Sequence, residues 1–463
     1  MRRGDLEFVF EGRTLTAREG DSVAAALFAN GVRVFGRSSK YHRPRGYRCG
    51  RGHCSACAMR VDGLPGVRTC VTPVRDGMRV EREHAWPGAG HDLLRAAEML
   101  APLTPPGFYY RWFRRSPKAF GVFERAIASA AGQGALPSLE AAQRLATARC
   151  RRRDDIAVLV VGGGAAGLSA ALAAAGEGAD VLLVEQDDRL GGRLADAPGD
   201  QAMGTLVGRV RDHAGIETLT SAEAIAWYEE GVLAVDCRPD LLLVRPTAVV
   251  LATGGYERGL PFPGWDLPGV MLAQGAQRLL RRFRVSPGSR AVVLTTDDSG
   301  YAAALELNDG GVEIACVADV RPPQAIRQRH ARDAEAAGIA LLTGVEGARA
   351  HGTGPVSALS LRLGGDGPPK IVRHKCDLVC ISAGTRPADD LAYQSVARGS
   401  LVLSADSSLE AVAATGALAT AGTPVLGPWL AGSVVGADTA AAAIVLGRVA
   451  GAAAARAAAA PAT

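Results

Sequence analysis

The chain has 463 residues, of which 48% are apolar and 21% are charged, a composition that excludes a disordered chain and predicts about two to four packed domains. Residues 1–153 carry 27 Lys and Arg against 13 Asp and Glu, whereas the remainder is acidic, and the net charge is +5. The basic part suits an acidic protein neighbour, and because its arginines form no recognisable recognition motif we expect no nucleic acid partner.

The first ninety or so residues predict a small α+β domain. Residues 6–16 alternate apolar and polar side chains on both sides of a Glu-Gly turn, which indicates a β-hairpin rather than the apolar core of a signal peptide. Asp21 or Ser22 can cap a short helix. A loop rich in Gly and Arg follows, and then two strands joined by a turn at 62–63.

Four cysteines lie in this loop and shortly after it, in the pattern Cys49-x4-Cys54-x2-Cys57 followed by Cys70. The spacing matches the ligation of plant-type [2Fe–2S] clusters. Glycines between the cysteines let backbone N–H groups approach cluster sulfur. A structural zinc site, the alternative, normally uses two C-x2-C pairs, and only one is present. We therefore predict that these four cysteines bind a [2Fe–2S] cluster, and that the other five cysteines are buried as small apolar residues.

The segment CGRGHCSACAMRVDGLPGVRTC resembles the ferredoxin-like [2Fe–2S] domain of the xanthine oxidase and carbon monoxide dehydrogenase class. Residues 100–153 differ from it in composition. They hold a cluster of aromatic residues and end in three consecutive arginines, which we interpret as a helical connector that packs between domains.

A first dinucleotide-binding fold is predicted from residue 156. An apolar strand leads into Gly162-x-Gly164-x-x-Gly167, which opens an Ala-rich helix. In this fingerprint the glycines let the backbone approach a pyrophosphate at the helix N-terminus. Glu185, after the next strand, can accept hydrogen bonds from a ribose. Its charge repels a 2′-phosphate, which favours FAD or NAD over NADP.

Three later loops favour FAD. They lie at 191–194, 252–255 and 431–436, and they resemble motifs of two-dinucleotide-fold flavoproteins, in which such loops close over FAD and a helix N-terminus faces the flavin. NAD or another adenine nucleotide is the alternative. The candidate cofactor-binding residues are Gly162, Gly164, Ala165, Ala166, Gly167, Glu185, Gly191, Gly192, Arg193, Thr253, Gly254, Gly432 and Gly436. Residues 193–215 contain no Cys, so thiol–disulfide chemistry is not expected.

A second, degenerate dinucleotide fold follows. If its first strand ends at Leu294, then Thr295 and Asp297 replace the first two fingerprint glycines and only Gly300 remains. Asp319 ends the next strand, as a ribose-binding acid does. The region is either a nicotinamide nucleotide site or a structural remnant. Near the C-terminus, charged residues interrupt the Ala-rich segment, so we expect no membrane helix and a cytoplasmic protein.

The predicted fold class is α/β: an N-terminal α+β ferredoxin-like [2Fe–2S] domain, and then two Rossmann-like dinucleotide-binding domains of the pyridine-nucleotide-disulfide oxidoreductase type. The predicted boundaries are 1–99 for the cluster domain, 100–153 for the connector, 154–256 with 376–452 for the discontinuous FAD-type domain, 257–375 for the degenerate NAD-type domain, and 453–463 for an Ala-rich tail.

Segments along nearly the whole chain resemble the alpha subunit of heteromeric sarcosine oxidase and its relatives in hydrogen cyanide synthase and in opine, proline and hydroxyproline dehydrogenases. They are LFANGVRVFGRSSKYHRPRG (27–46), GFYYRWF (107–113), LVVGGGAAGLSAALAAA (159–175), LPFPGWDLPGVM (260–271) and TTDDSGYAAALEL (295–307). The cysteine cluster departs from sarcosine oxidase alpha. The C-terminal folate-binding region of that subunit is missing here, so a tetrahydrofolate role is not supported.

The resemblance implies an electron-transferring flavin and iron–sulfur subunit of an enzyme that oxidises the C–N bond of an amine or amino acid. It also implies a D-amino-acid-oxidase-like flavoprotein as beta subunit, FMN at the subunit interface and a further small subunit. The sequence shows no coherent acid–base set, so no catalytic residue is assigned. The alternatives are a self-contained NADH-dependent flavoprotein reductase that passes electrons to its own cluster, and a scaffold with an empty nucleotide site.

Overall fold

The computed structural model describes residues 5–38, 41–83, 116–130, 136–196, 201–228, 231–364, 368–396, 426–437 and 439–460. They belong to two compact units. One unit is Met1–Ala142 with Glu257–Gly384, and the other is Gln143–Tyr256 with Thr385–Thr463. The predicted α/β class, with an α+β domain first, is confirmed.

The N-terminal part of the first unit is a five-stranded sheet in the order β2-β1-β7-β5-β6, with one helix. Its elements are β1 (Asp5–Phe10), β2 (Arg13–Arg18), α1 (Val23–Ala29), the pair β3 (Gly36–Arg37) and β4 (Pro44–Arg45), β5 (Ala58–Val61), β6 (Leu64–Arg68) and β7 (Arg79–Glu81). The predicted hairpin is β1–β2. Ser22, rather than Asp21, caps α1, because its Oγ accepts a hydrogen bond from the Ala25 N–H at 3.2 Å.

The predicted connector is helical only in part. Its described helices are α2 (Pro117–Ala130) and α3 (Leu139–Ala146), and residues 84–115, with most of the aromatic cluster, lie outside the described residues. The prediction is wrong at the end, because β8 (Cys150–Arg153) is a strand. It pairs in parallel with residues 241–244, and ion pairs such as Arg151 to Asp240 at 2.8 Å hold its arginines.

The second unit contains a parallel sheet in the order β11-β10-β9-β15-β26 and a four-stranded sheet in the order β12-β13-β14-β8. Its elements before residue 258 are β9 (Val158–Val161), α4 (Ala165–Gly176), β10 (Val181–Val184), α5 (Gln201–Arg211), β11 (Ile216–Leu219), β12 (Glu223–Trp227), β13 (Leu233–Cys237), β14 (Asp240–Val244), β15 (Ala248–Leu251) and β16 (Gly255–Glu257). All residues of the three central strands β9, β10 and β15 are buried, as expected for a parallel sheet covered on both faces.

The rest of the first unit is a second parallel sheet in the order β17-β24-β18-β19-β20 with a three-stranded antiparallel sheet β21-β22-β23. Its elements are β17 (Val270–Leu272), α6 (Ala273–Phe283), β18 (Arg290–Thr295), α7 (Ser299–Asp309), β19 (Glu313–Asp319), α8 (Gln328–Ala336), β20 (Leu341–Leu342), β21 (Val345–His351), β22 (Ala358–Leu363), β23 (Lys370–Lys375) and β24 (Leu378–Ser382).

The chain then returns to the second unit. Its last elements are β25 (Thr385–Pro387), which pairs with β16, then α9 (Asp390–Val396), β26 (Leu426–Leu430) and α10 (Ala440–Ala459). Two glycines seat α10 on α4. A Cβ on Gly447 would lie 2.0 Å from the Ala166 carbonyl oxygen, and one on Gly451 would lie 2.1 Å from that of Ala170. Only glycine permits this close contact at either position.

Helix α10 bears on the expectation that charged residues in the Ala-rich segment exclude a membrane helix. By length and composition it is apolar enough to cross a membrane, and it is the one such helix among the described residues. Its charged residues, Arg448 and Arg456, are too few to exclude it on that criterion. One face of the helix is nonetheless buried against α4 through its glycines and alanines. The helix also continues through 453–459, which the sequence analysis assigns to a tail.

Candidate cofactor sites

The four predicted cluster cysteines converge in the first unit. The thiol of Cys49 lies within hydrogen-bonding contact of those of Cys54 and Cys70, and the Cys57 thiol contacts Cys70. Cys54 is half-buried and the other three are buried. The β5–β6 hairpin makes this convergence possible, because it brings Cys70 back to the loop that carries the other three.

Of the remaining five cysteines, Cys316, Cys376 and Cys380 are buried as predicted. The prediction is wrong for Cys237, which is half-buried, and for Cys150, which is exposed at the sheet edge.

Backbone N–H groups surround the cysteine sulfurs. Gly52 donates its N–H to the Cys70 Sγ at 3.2 Å, and Arg51 donates its N–H to the Cys49 Sγ. Contacts among the thiols lower the pKa of Cys49, through the Cys54 thiol above all, and the same contacts raise the pKa values of Cys54 and Cys70. The backbone N–H donors stabilise negative charge on the sulfurs, and the thiolate is the form that binds iron.

The donor set fits a [2Fe–2S] cluster. Four soft thiolates meet, and such a cluster requires two on each iron. Among the described residues, no three His, Cys, Asp or Glu side chains are arranged around a single metal ion. Arginines lie close by. The Arg68 guanidinium donates to the Gly52 carbonyl at 2.6 Å, and Arg278 is 2% exposed on α6.

The cysteine loop rests on the first turn of α6, a contact that the sequence analysis did not predict. The Leu272 N–H donates to the Arg48 carbonyl at 3.2 Å. A Cβ on Gly275 would lie 2.2 Å from the same carbonyl oxygen, so a side chain there would force the loop away. The one sequence signal is a glycine near the start of an otherwise helical segment.

Tyr47 is buried beside the loop, with 1% of its surface exposed. Burial is the main cause that raises the pKa of its phenol well above the usual range, and the neighbouring Cys70 raises it further. The phenol therefore keeps its proton. The Tyr47 ring packs edge-on against Phe28, with 6.2 Å between the ring centroids, which fixes its orientation.

In the second unit, each fingerprint glycine has a distinct role. A Cβ on Gly162 would lie 2.3 Å from the Ala252 carbonyl oxygen, and one on Gly167 would lie 1.7 Å from the Gly162 carbonyl oxygen. Gly164 caps α4, and its Cβ position meets nothing within 4 Å. The first and third glycines are thus required for packing, while the second leaves the helix N-terminus open to a pyrophosphate.

Glu185 is buried and already hydrogen-bonded. Its Oε2 accepts from the Gly163 N–H at 2.6 Å, and its Oε1 accepts from the Asp187 N–H at 2.8 Å. Glu185 therefore shapes the glycine-rich loop in addition to the ribose role predicted for it.

The later candidate loops gather around the same helix start. Gly191 donates its N–H to the Gly163 carbonyl at 2.8 Å. A Cβ on Gly192 would lie 3.0 Å from the Gly164 Cα, and one on Gly432 would lie 2.7 Å from the Ala166 Cβ. The structure therefore brings these two loops directly against the fingerprint, and the third, 252–255, meets it through the Ala252 carbonyl next to Gly162.

The four remaining candidate residues make their described contacts outside the glycine-rich fingerprint. The Thr253 hydroxyl donates to the Ala388 carbonyl at 2.6 Å, and the Gly254 carbonyl accepts from the Ala388 N–H. These two residues thus anchor the segment after β25, next to the Ala252 carbonyl that Gly162 approaches. Arg193 lies in the short 3-10 turn Gly192–Leu194, and Gly436 ends the 3-10 turn Gly432–Val435 with a φ of 85°.

In the degenerate second fold, a side chain of the protein occupies the N-terminus of helix α7. Strand β18 runs to Thr295, so the condition that it ends at Leu294 is not met. At the start of α7 the Asp297 carboxylate accepts the Ser299 N–H at 3.0 Å and the Ser382 hydroxyl at 3.1 Å. A carboxylate of the chain itself therefore occupies the place where a pyrophosphate binds in this fold.

Asp319, the residue predicted to bind a ribose in this second fold, is also hydrogen-bonded to neighbouring side chains. Asp319 is fully buried, and it accepts hydrogen bonds from the Tyr301 hydroxyl at 3.0 Å and from the Arg321 guanidinium at 2.9 Å. Arg321 also pairs with Asp298 at 2.9 Å. Both groups that would hold a nucleotide are bound to neighbouring side chains, which favours the structural remnant over a nicotinamide site.

Two family models match the chain. Residues 4–85 match the 2Fe-2S iron-sulfur cluster binding domain, and residues 156–410, more than half of the chain, match the pyridine nucleotide-disulphide oxidoreductase model. The first match includes the four cysteines, and the second includes the glycine-rich fingerprint, Glu185 and the loops at 191–194 and 252–255, but not the loop at 431–436.

Individual relatives agree with these models. Sarcosine oxidase subunit alpha of Rhizobium meliloti (strain 1021) is 32% identical over 395 residues, which are 79% of this chain and 38% of the relative. Hydrogen cyanide synthase subunit HcnA of Pseudomonas aeruginosa is 37% identical over 83 residues, 18% of this chain and 79% of the relative. The chain spans less than half the length of the sarcosine oxidase relatives that it matches.

Among solved structures, L-proline dehydrogenase from P. horikoshii superposes with a TM-score of 0.62 and 20% identity. The match covers 97% of this chain and 73% of that one. At this identity the similarity shows a shared fold.

Proposed function

The chain belongs to the pyridine nucleotide-disulphide oxidoreductase family, and from this premise we propose that it is the electron-transferring subunit of a heteromeric dehydrogenase or oxidase. The substrate of the whole enzyme is an amine or amino acid whose C–N bond is oxidised, of the sarcosine, glycine, proline, hydroxyproline or opine class. The names of the relatives, subunits of sarcosine oxidase, opine oxidase and hydrogen cyanide synthase, support this class.

The observation that carries the proposal is the presence of two cofactor sites on one chain. Four cysteine thiols converge in the first unit, and an open glycine-rich helix N-terminus lies in the second. When bound, FAD accepts two electrons from the reaction, and a [2Fe–2S] cluster passes electrons on one at a time. The contribution of the chain is to hold and tune both groups.

We assign the residues as follows. Cys49, Cys54, Cys57 and Cys70 hold the cluster. The open space at Gly164 receives the pyrophosphate, and Glu185 accepts hydrogen bonds from the ribose. We assign the other candidates of the sequence analysis to the same site. The domain boundaries given there remain our proposal, except that the second fold extends past residue 375, because β24 belongs to its sheet. NAD or another adenine nucleotide is the alternative occupant.

We propose a D-amino-acid-oxidase-like flavoprotein as the beta subunit that carries out the substrate chemistry, with FMN at the subunit interface and a further small subunit. Two observations support a partner. The relatives named above are subunits, and the first 153 residues carry 27 basic against 13 acidic residues, which suits an acidic surface. We place the assembly in the cytoplasm.

The self-contained NADH reductase is the weaker candidate. It needs a nicotinamide nucleotide in the second fold, where Asp297 fills the start of α7 and Asp319 is bound to Tyr301 and Arg321.

The test of the proposal is a reconstitution. The chain is purified without air, alone and with a candidate beta subunit, and each preparation is analysed for iron, sulfide, FAD, FMN and other nucleotides. Each is then assayed on sarcosine, glycine, proline, hydroxyproline and an opine with an artificial electron acceptor. We expect cofactors on the chain alone and turnover only in the complex. Cofactor-loaded chain without turnover in any complex would contradict the proposed substrate class.

A further inference from the structure

Tyr47 carries a buried hydroxyl that its protein surroundings do not explain. The side chain is 1% exposed, and the part of the chain that the structure describes gives its Oη no hydrogen-bond partner. Buried hydroxyl groups are nearly always hydrogen-bonded, because an unmet donor loses its bond to water without replacement. An orphaned hydroxyl at a candidate cofactor site therefore points to the cofactor as its partner.

The position of the hydroxyl supports this partner. Tyr47 precedes Cys49 by two residues, and a Cβ on Gly50 would lie 2.3 Å from the Tyr47 Oη. The hydroxyl thus packs against the backbone of the cysteine loop. Cys70, Cys49 and Cys57 are among its electrostatic neighbours, so it lies close to these three ligands.

We propose that the Tyr47 O–H donates a hydrogen bond to a sulfur atom of the bound [2Fe–2S] cluster and so raises its reduction potential. The bond becomes stronger when the cluster gains an electron, because the acceptor sulfur then carries more negative charge. Tyr47 is a tuning residue, and it is not a ligand. The inference rests on the cluster-binding part of the proposed function.

Two neighbours of the Tyr47 ring bear on this role. Contact with Phe28 fixes the ring. Arg278 lies three residues after Gly275 on α6, on the helix face that packs against the cysteine loop, and it is an electrostatic neighbour of Tyr47. The positive charge of Arg278 also raises the reduction potential of the cluster. It acts in addition to the hydrogen bond from the Tyr47 hydroxyl and cannot substitute for that bond.

The test is the Tyr47→Phe variant, which keeps the ring and its packing. The midpoint potential of the cluster is measured by redox titration with EPR detection, after iron and sulfide are shown to equal those of the parent protein. We expect the equilibrium constant for one-electron reduction to fall about tenfold, a shift of about 59 mV to more negative potential. Tyr228→Phe, at an exposed tyrosine of the other unit, is the control and leaves the potential unchanged.

A second replacement protects the test against loss of the cluster. 3-Fluorotyrosine at position 47 keeps the hydroxyl and makes it a stronger donor, so we expect a shift to more positive potential. A full cluster with the parent potential in the Phe variant, or no shift with fluorotyrosine, overturns the role of Tyr47. Absence of iron and of an EPR signal in the parent protein would instead overturn cluster binding itself.

Discussion

At the scale of single residues, the cysteines carry the most direct consequence. Cys54 is the half-buried member of the four, so its substitution disturbs packing least. We expect Cys54→Ser to lose the cluster, because a serine oxygen is a poor substitute for a soft thiolate. Iron and acid-labile sulfide analysis checks this, with exposed Cys150→Ser as the control that retains both. Full iron content in Cys54→Ser would show that the ligand set is wrong.

The glycine-rich loop allows an equally specific change. The Cβ position of Gly164 meets nothing within 4 Å, so Gly164→Glu should fold, while its carboxylate takes the pyrophosphate position and repels the ligand. We expect nucleotide content to vanish and iron to remain. Gly176→Glu, at the open far end of the same helix, is the control with normal nucleotide content. Nucleotide retained in the Gly164 variant would place the cofactor elsewhere.

The sequence identifies residues whose roles follow from spacing, and it misses those whose roles follow from burial. The cysteine and glycine patterns are local, so the candidates Cys49 to Cys70 and Gly162 to Gly167 could be named before the fold. Tyr47 could not, because only tertiary packing buries its side chain against the loop, and the neighbouring sequence does not show this. The second hydrogen-bond role of Glu185, to Gly163, is hidden for the same reason.

At the scale of elements, helix α6 supports the cysteine loop. Alanine is better than glycine inside a helix by about 1 kcal/mol, so Gly→Ala normally stabilises a helix. At Gly275 the added Cβ would lie 2.2 Å from the Arg48 carbonyl oxygen, and the loop must move. We expect Gly275→Ala to lower iron content and the Tm.

The control is Gly204→Ala in α5, where a Cβ meets nothing within 4 Å. It should keep its iron and melt at the same or a higher temperature. Equal iron content and stability in both variants would mean that α6 does not support the loop.

The degenerate fold yields a second prediction at this scale. With Asp297 at the start of α7 and Asp319 held by Arg321, we expect no binding of NADH. Anaerobic titration of the flavin-loaded protein with NADH should leave the flavin spectrum oxidised. Stoichiometric bleaching would support the reductase alternative instead.

Elements with a strong apolar pattern can be predicted from the sequence, whereas strands that form only through pairing with a distant strand cannot. The strands and helices around the two glycine-rich turns follow from runs of apolar residues between turn signals. Strand β8 does not, because Cys-Arg-Arg-Arg has no periodicity and is a strand only through its pairing with β14. The sequence likewise leaves open where β18 ends, because Thr295 is in the strand through its pairing with Asp319 of the neighbouring strand.

At the scale of the whole molecule, the sequence predicts a dinucleotide fold that is interrupted by a second one. The long-range pairing of β15 with β26, from opposite ends of the second unit, is consistent with that interruption. The order of the motifs along the chain is what predicts this interruption. The substrate class rests instead on relatives that are more than twice as long, so it needs an experiment on the assembled enzyme.

The most direct test of the central claim is amine turnover by the isolated, cofactor-loaded chain with an artificial electron acceptor. We expect no oxidation of sarcosine, glycine, proline, hydroxyproline or an opine until a beta subunit is added, because in the function proposed above this chain holds the electron carriers and a second subunit binds the substrate. Sustained turnover of any of these substrates by the chain alone would contradict the proposed function, and a complete active site would then have to be sought within this chain.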